Sequence, residues 1–227
     1  QPSEILNVMP GSVVIISDPV DLEASVSPSL NLSKPQRKGL ECLAIYEHRK
    51  NFNKSPTFNF GRMPLGYRMS SSNNKRLTDA GKRFRGGPIN ELLECHELGM
   101  SPFEEVESSE VFDSHILKMS WSKWKKVENL SSLSGSEYGL YILKDIKKFN
   151  FLYVGEGKIK DRITTHLKKG FKEEHSQYVF FKNTKDITFS FFIDNRLKKF
   201  QRLEFETDLI GCHLKKFQRI PEAQFLG

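Results

Sequence analysis

The sequence predicts an α+β fold whose C-terminal part has the element order β-β-α-β-α. Two observations support this prediction. Short apolar segments at Tyr138–Leu143 and Phe151–Gly155 flank the polar turn "KDIKKFN", as the strands of an antiparallel hairpin do. After the hairpin, segments with a helical period at Lys158–Lys169 and Arg196–Phe217 flank the β-rich segment "DITFSFFID".

Each of the two predicted helices has an apolar face. In the first helix the apolar positions recur every four residues and stop before Gly170, a typical C-cap residue. These positions are Ile159, Ile163 and Leu167. The apolar face of the last helix consists of Phe200, Leu203, Ile210, Leu214 and Phe217. Glu206 lies inside that face, whereas Glu204 and Asp208 lie outside it and are expected to be solvated.

The N-terminal region reads as mixed and partly irregular. We place a domain boundary before the linker-like "SSLSGS" at 131–136, which gives an N-terminal region 1–130 and a C-terminal domain 131–227. The preceding "SWSKWKKV" is expected to pack onto the C-terminal domain. The apolar run "SVVIIS" predicts a short strand, and helices are predicted over Lys34–Arg49 and Pro88–Leu98. Between these helices, a stretch rich in Pro, Gly and aromatic residues is expected to be irregular.

Charge is distributed unevenly along a chain whose net charge is +7. Lys34–Arg85 holds 13 basic residues against three acidic ones, a net charge of +10, and Gly86–Leu117 carries eight acidic residues and no Lys or Arg. From residue 131 to the end, 18 basic residues face 12 acidic ones, a net charge of +6. Aromatic residues are interleaved in the first basic block, namely Tyr46, Phe52, Phe58, Phe60, Tyr67 and Phe84.

Such a basic block is typical of a surface that binds nucleic acid. Lys and Arg neutralise phosphates, and aromatic rings stack on bases. A solvated charged segment explains the same composition, so both interpretations stay open. The candidate contacts with nucleic acid are Arg76, Lys82, Arg83, Arg85, Lys158 and Lys160.

Cysteine content and hydropathy restrict the class of protein. Cys42, Cys95 and Cys212 are scattered, which argues against a disulfide scaffold and against a structural zinc site. No apolar run reaches the roughly 18 to 20 residues of a membrane helix, and the first residues lack the basic leader of a signal peptide. We therefore expect a cytoplasmic protein without a membrane partner, while a signal upstream of Gln1 stays open.

Two units of tyrosine and glycine lie on the neighbouring strands of the predicted hairpin. They are Gly139-Leu140-Tyr141 and Tyr153-Val154-Gly155. Valine and isoleucine serve a purely structural strand better, because a buried tyrosine hydroxyl must find a partner. On adjacent strands both tyrosines can share one site.

Polar residues on the two predicted helices complete this candidate site. Arg162 and His166 are four residues apart and therefore share one helix face, which begins near Tyr153. Glu206 lies within an apolar helix face, where a carboxylate must be paired, neutralised or bound to a metal ion.

This combination of residue types suits phosphodiester cleavage. A carboxylate such as Glu206 holds a hard divalent cation, Mg²⁺ or Mn²⁺, while Arg162 balances charge that grows on the scissile phosphate. A tyrosine or a histidine takes the proton from attacking water. Tyr141 is our first choice for that base, with Tyr153 orienting water or phosphate and His166 as the alternative base. A phenol of pKa about 10 needs the metal ion or Arg162 to stabilise its phenolate.

Over about residues 137 to 227, these motifs resemble those of the GIY-YIG nucleases. The two units of tyrosine and glycine resemble the family's two name-giving motifs, Arg162 and His166 match its R-x-x-x-H helix, and Glu206 in "ETDLI" matches its E-x-x-L-I metal-ligand motif. The resemblance implies a sheet of three antiparallel strands flanked by helices. It also implies metal-dependent hydrolysis of a nucleic-acid backbone.

Two features depart from the family's pattern. Arg162 lies seven residues after Gly155, where many members have eight, which implies a slightly shorter turn. The family usually closes its site with an asparagine after P-x-x-N, whereas "PEAQ" here offers Gln224. Glutamine carries the same amide on a longer arm, so Gln224 is the candidate for the residue that closes the site.

We therefore expect a metal-dependent DNA endonuclease whose N-terminal region recognises DNA or binds a partner. A site-specific restriction or mobile-element enzyme is the leading role, with a repair nuclease or an antibacterial DNase toxin as alternatives. The rival from another class is a non-catalytic nucleic-acid-binding module that keeps the fold. The preference for DNA over RNA and the oligomeric state are not determined by the sequence, which allows a homodimer.

Overall fold

One mixed sheet-and-helix core organises the described residues. The computed structural model describes residues 32–56, 59–61, 99–105, 117–148 and 151–226. Its helices are α1 Lys34–Phe52, α2 Ile159–Lys169, α3 Tyr178–Phe181 and α4 Lys199–Phe217. Its strands are β1 Lys125–Lys126, β2 Tyr138–Asp145, β3 Phe151–Lys158 and β4 Ile187–Ile193. Short 3₁₀ segments lie at Asn59–Gly61, Val127–Ser132 and Thr184–Asp186.

The four strands form an antiparallel sheet in the order β1-β4-β2-β3. The α+β class, the hairpin β2-β3 and the third predicted strand, β4, are therefore confirmed. The expected number of three strands is wrong, because β1 adds a fourth by pairing Lys125 with Phe189 and Lys126 with Thr188. A strand of two residues is too short to show the alternation of polar and apolar residues by which strands are predicted.

Local sequence explains where the helices begin and end. α1 starts with a capping box, in which the Ser33 side chain accepts a hydrogen bond from the Gln36 backbone N–H while the Gln36 side chain accepts one from the Ser33 N–H. Asn53 ends the helix in the left-handed region, at a φ of 54°. Gly170 caps α2 as predicted. Glycine is required there because a Cβ would lie 2.1 Å from the carbonyl oxygen of Phe181.

The core lies on both faces of the sheet. Leu140 and Ile142 of β2 pack with residues of α1 and α4, whereas Tyr141 and Leu143 pack with residues of α2. The alternation of a β-strand therefore divides β2 between the two layers. Because α1 packs in turn against α4, the middle of α4 is buried on almost every side.

Segments before residue 131 belong to this core. Tyr46 of α1 is fully buried, and Trp121 and Trp124 pack against the same apolar cluster, which confirms the expected packing of "SWSKWKKV". Leu133, inside the linker-like "SSLSGS", is also buried. The boundary at residue 131 stays a prediction.

Several sequence predictions fall on parts of the chain that lie outside the described residues. These are the strand "SVVIIS", the helix Pro88–Leu98 and most of the irregular stretch between the first two predicted helices. Within the described part of the chain, no helix combines the length and the apolar character needed to cross a bilayer. The cytoplasmic location stays a prediction.

Close approach of α1 to α4 at Gly211 gives a stability prediction. A Cβ on Gly211 would lie 2.8 Å from the backbone oxygen of Cys42 and 2.7 Å from the Cβ of Tyr46. Neither atom can rotate away, so overpacking outweighs the helix propensity gained. We expect Gly211→Ala to lower the free energy of unfolding by about 1 to 3 kcal/mol in urea titrations. The matched control is Gly135→Ala, where a Cβ would meet nothing within 4 Å; equal stability of the two variants would contradict this packing.

Candidate active site

The two units of tyrosine and glycine meet across the hairpin. Tyr141 of β2 is the register partner of Gly155 of β3, and a Cβ on Gly155 would lie only 2.4 Å from the Tyr141 hydroxyl oxygen. Gly155 therefore leaves the space into which the Tyr141 ring extends. The Tyr141 and Tyr153 rings lie nearly parallel, with centroids 6.2 Å apart. The expected proximity of the two tyrosines is thus met, and glycine is the residue that permits it.

His166 of α2 joins the tyrosine pair from the adjacent layer. Its Nε2 lies 3.1 Å from the Tyr141 hydroxyl, and its ring centroid lies 4.0 Å from that of Tyr153. The residue is buried, and its Nδ1 has no hydrogen-bond partner among the described residues. Burial, helped by the charge of Lys169, lowers the pKa of His166 to about 3. The imidazole is therefore neutral at pH 7.

Arg162 lies one helical turn before His166 and is exposed to solvent. Its charge acts to lower the pKa of both tyrosines, but burial has the larger effect. Burial and the neighbouring Glu206 raise the pKa of Tyr153 to about 12, and burial raises the pKa of Tyr141 well above 10. Without a further positive charge, both tyrosines are neutral phenols at pH 7.

Glu206 lies on the wall of a cavity of about 350 Å³ beside these residues. Tyr153 and Gln224 share this wall with it. The side chain is half-buried, so Glu206 lies at the margin of the core, in agreement with its position within the apolar helix face. Burial, with a contribution from the negative charge of Glu156, raises the pKa of Glu206 to about 8. Arg162 opposes this shift.

Gln224 holds the C-terminal segment against the edge strand β3. The backbone N–H groups of Glu222 and Ala223 donate to the carbonyls of Phe151 and Leu152, at 3.1 and 2.8 Å. The Gln224 Oε1 then accepts from the Val154 N–H at 3.0 Å, which continues the pairing by one residue. Gln224 therefore lies at the cavity, as expected for the candidate closing amide, with its side-chain oxygen bonded to β3.

The candidate nucleic-acid contacts have different surroundings. Lys158 lies 3.5 Å from Asp161, and Lys160 donates at 2.9 Å to the carbonyl of Leu133 and so anchors the end of a 3₁₀ segment. Arg76, Lys82, Arg83 and Arg85 lie outside the described residues. Within the basic block, Tyr46 and Arg49 are fully buried and cannot contact nucleic acid in this fold.

A buried ion network under the site escaped sequence reasoning. Arg49 of α1 donates to both carboxylate oxygens of Asp208, at 2.7 and 3.0 Å, and lies 3.3 Å from Glu204. The Ser55 hydroxyl and the Met100 N–H donate to Glu204 at 2.6 and 2.8 Å. Glu204 and Asp208 are fully buried, so the prediction that they are solvated is wrong.

Packing of α1 on the outer face of α4 explains this error. The i,i+4 spacing of Glu204 and Asp208 placed both carboxylates on one helix face. No local feature indicated which element covers that face, because Arg49 precedes Asp208 by 159 residues. The signal available in the sequence was Arg49, which follows Tyr46 by one helical turn on the buried side of α1.

No protein-family model, curated protein or solved structure matches this chain. The capacity for a metal ion is therefore judged from the site itself. Within the described ranges, no group of three or more His, Cys, Asp or Glu residues could hold a metal ion. Glu206 nevertheless offers one carboxylate on the cavity wall, whereas Glu156 accepts a hydrogen bond from Arg202 Nε at 3.2 Å. Mg²⁺ is commonly bound by one or two carboxylates, several waters and substrate phosphates, so the donor set fits.

Removal of Arg49 is expected to destabilise the protein strongly. Arg49→Met leaves two buried carboxylates without their cation, and breaking a buried ion pair in this way costs about 3 to 5 kcal/mol. The free energy of unfolding, from urea titrations, measures this loss. The control is Lys118→Met, whose pair with Glu104 has side chains 62% and 77% exposed, so its loss should change stability little. A loss for Arg49→Met no larger than for Lys118→Met would contradict the network.

The raised pKa of Glu206 predicts a pH dependence of stability. A folded-state pKa of about 8 means that the folded protein holds this proton at pH values where the unfolded chain has released it. Stability of the parent therefore falls as pH rises from about 4.5 to 8. With chelator present, we compare the unfolding free energy of Glu206→Gln minus that of the parent. We expect this difference to increase by at least about 1 kcal/mol between pH 5 and 8.5, because only the parent loses stability through this carboxyl group. Exposed Glu128→Gln is the control, and a constant difference for Glu206→Gln would refute the shift.

Proposed function

We propose that the protein is a metal-dependent endonuclease that hydrolyses DNA phosphodiester bonds. One observation carries this proposal: Tyr141, Tyr153 and His166 form a single cluster next to Arg162 and to the carboxylate of Glu206. Proton-transfer groups, a phosphate-binding cation and a carboxylate ligand for a metal ion are the groups that phosphodiester hydrolysis needs. These groups lie on strands and helices that pack into one core.

Roles follow from exposure and charge. Arg162 is exposed and positively charged, so it is placed to bind the scissile phosphate and to balance the charge that grows on it. Glu206 would hold Mg²⁺ or Mn²⁺. When bound, the ion polarises the phosphate and lowers the pKa of a water ligand. Tyr153 stacks beside Tyr141 and His166 and orients water or phosphate.

The contact between Tyr141 and His166 links our two candidates for the base. With its Nε2 unprotonated, His166 accepts the phenolic proton, and Tyr141 can then receive a proton from the attacking water. Each proton moves one place, from water to Tyr141 and from Tyr141 to His166. A substrate phosphate near Lys169 and Arg162 offsets two of the charges that lower the pKa of His166.

The role of the N-terminal region in DNA recognition and the biological setting of the enzyme are also proposals. The basic block Lys34–Arg85 is proposed to contact DNA through Arg76, Lys82, Arg83 and Arg85, which would give a restriction or mobile-element enzyme its site specificity. Within the described half of that block, Arg49 and Tyr46 are buried and contribute to the core instead.

Cleavage of supercoiled plasmid with Mg²⁺ or Mn²⁺, with and without chelator, tests the proposal. Tyr141→Phe and Tyr153→Phe each delete one oxygen and keep the ring, so we expect near-normal stability and a loss of about 10²- to 10⁴-fold in single-turnover rate. Glu206→Gln should abolish cleavage while leaving DNA binding intact. The control is Tyr178→Phe, whose hydroxyl contacts Glu173 outside the cluster.

Two outcomes would overturn the assignment. Cleavage by Glu206→Gln at the parental rate would remove the metal ligand from the mechanism. DNA binding by the parent without cleavage in either metal would favour the non-catalytic binding module. A third outcome would keep the nuclease and change only the base: normal rates for both phenylalanine variants, with an inactive His166→Ala, would make histidine the base and the tyrosines packing residues.

A further inference from the structure

The cavity beside Glu206 is lined by two lysines to which no substrate group has yet been assigned as a ligand. Lys38 of α1 and Lys169 of α2 both line it, together with Gln177 and Gln224. Residues of α1, α2, α4, β3 and the C-terminal segment therefore enclose one space. At about 350 Å³, the cavity lies within the usual range of ligand sites.

Lys169 is held in place by a neutral partner. Its Nζ donates to the Gln177 Oε1 at 2.7 Å, and the Gln177 Nε2 donates to the Ala223 carbonyl at 2.7 Å. Gln177 is only 2% exposed, so this support is a fixed part of the core. Among the described residues, no carboxylate pairs with Lys169. Burial and the nearby Arg162 lower its pKa, as expected for a desolvated cation without a counter-charge.

Lys38 lies on the other wall and is more exposed than Lys169. Its Nζ lies 5.3 Å from the centroid of the Phe225 ring, and no carboxylate within the described ranges pairs with it. Elsewhere on α1 and α4, lysines do find carboxylates, as Lys50 does at 2.9 Å from Glu105 and Lys215 at 2.8 Å from Glu47. The network around Arg49 fixes α1 and hence the backbone position of Lys38.

We propose that Lys38 and Lys169 bind a second phosphate of the nucleic-acid strand, next to the phosphate held by Arg162. This inference rests on the proposed nuclease function. Lys169 follows Arg162 by seven residues, or about 10 Å along α2, and so lies on the same helix face. A strand along this face would place one phosphate at Arg162 and another in the cavity. Helix α1 thereby supplies a substrate contact to the C-terminal site.

The test measures binding of a DNA duplex by fluorescence anisotropy in chelator, so that no cleavage occurs. Each lost phosphate contact lowers the slope of log K against log salt concentration by about 0.7 to 0.9. We expect that decrease for Lys38→Met and for Lys169→Met, and restoration of the slope in Lys169→Arg. Lys147→Met is the matched control, because Lys147 pairs with Asp186 beside the hairpin turn.

A parallel titration with inorganic phosphate separates a strand phosphate from a free anion. An unchanged salt dependence of duplex binding in both lysine variants would overturn the proposal. If inorganic phosphate then still bound in a way that depends on both lysines, the cavity would be a site for a free anion. Thermal melting must show that the variants are folded. If Lys169→Met melts early, Lys38→Met with the parental melting temperature decides the outcome alone.

Kinetics distinguish failure of this inference from failure of the nuclease assignment. Because the second phosphate is not the one cleaved and Lys38 has no part in the proton relay, Lys38→Met should raise KM at least tenfold and change kcat less than threefold. A fall in kcat with unchanged KM would overturn the subsite. The parent protein could fail to cleave DNA while both lysine variants still bind DNA with reduced salt dependence. That result would refute the nuclease assignment and support the phosphate site.

Discussion

The buried contact of Arg49 with Asp208 and Glu204 is the constraint on which the rest of the described structure depends. It joins α1 to α4 through two adjacent turns of α4, and Glu206 lies between the two carboxylates in sequence. Because an apolar replacement of similar shape often matches or exceeds the stability of such a network, we infer that its main effect here is to fix which face of α4 meets α1. With that face fixed, Glu206 is directed to the cavity wall.

The hairpin imposes a second constraint, through glycine rather than through charge. Gly155 lies opposite Tyr141, and the missing side chain lets the Tyr141 hydroxyl reach within 3.1 Å of His166. The same tyrosine belongs to the core layer that α2 covers, while Leu140 and Ile142 face α4. Thus β2 joins the layer that carries Arg162 and His166 to the layer that carries Glu206.

Local patterns were sufficient to predict the hairpin, α2, β4 and α4, because the apolar residues of each element recur with a period that is visible within its own sequence. They were also sufficient to bring Tyr141, Tyr153 and His166 together, since adjacent strands and an i,i+4 helix pair fix relative positions. They could not predict β1, which is two residues long, or the burial of Glu204 and Asp208, which depends on a partner 159 residues away from Asp208. Lys38 and Lys169 share a cavity only because α1 packs on α4.

The electrostatics of the site suggest why metal ion and substrate would depend on each other in the proposed nuclease. Burial leaves Tyr141, Tyr153 and His166 uncharged and leaves Glu206 largely protonated at pH 7, while Arg162 keeps its positive charge. In the proposed nuclease, a metal ion held by Glu206 would displace the proton of that carboxyl group, whereas Arg162 would bind a phosphate without releasing a proton. A phosphate bound there would supply further oxygen ligands for Mg²⁺ and offset the charge of Arg162. Because such coupling is reciprocal, the metal ion would strengthen phosphate binding by the same factor.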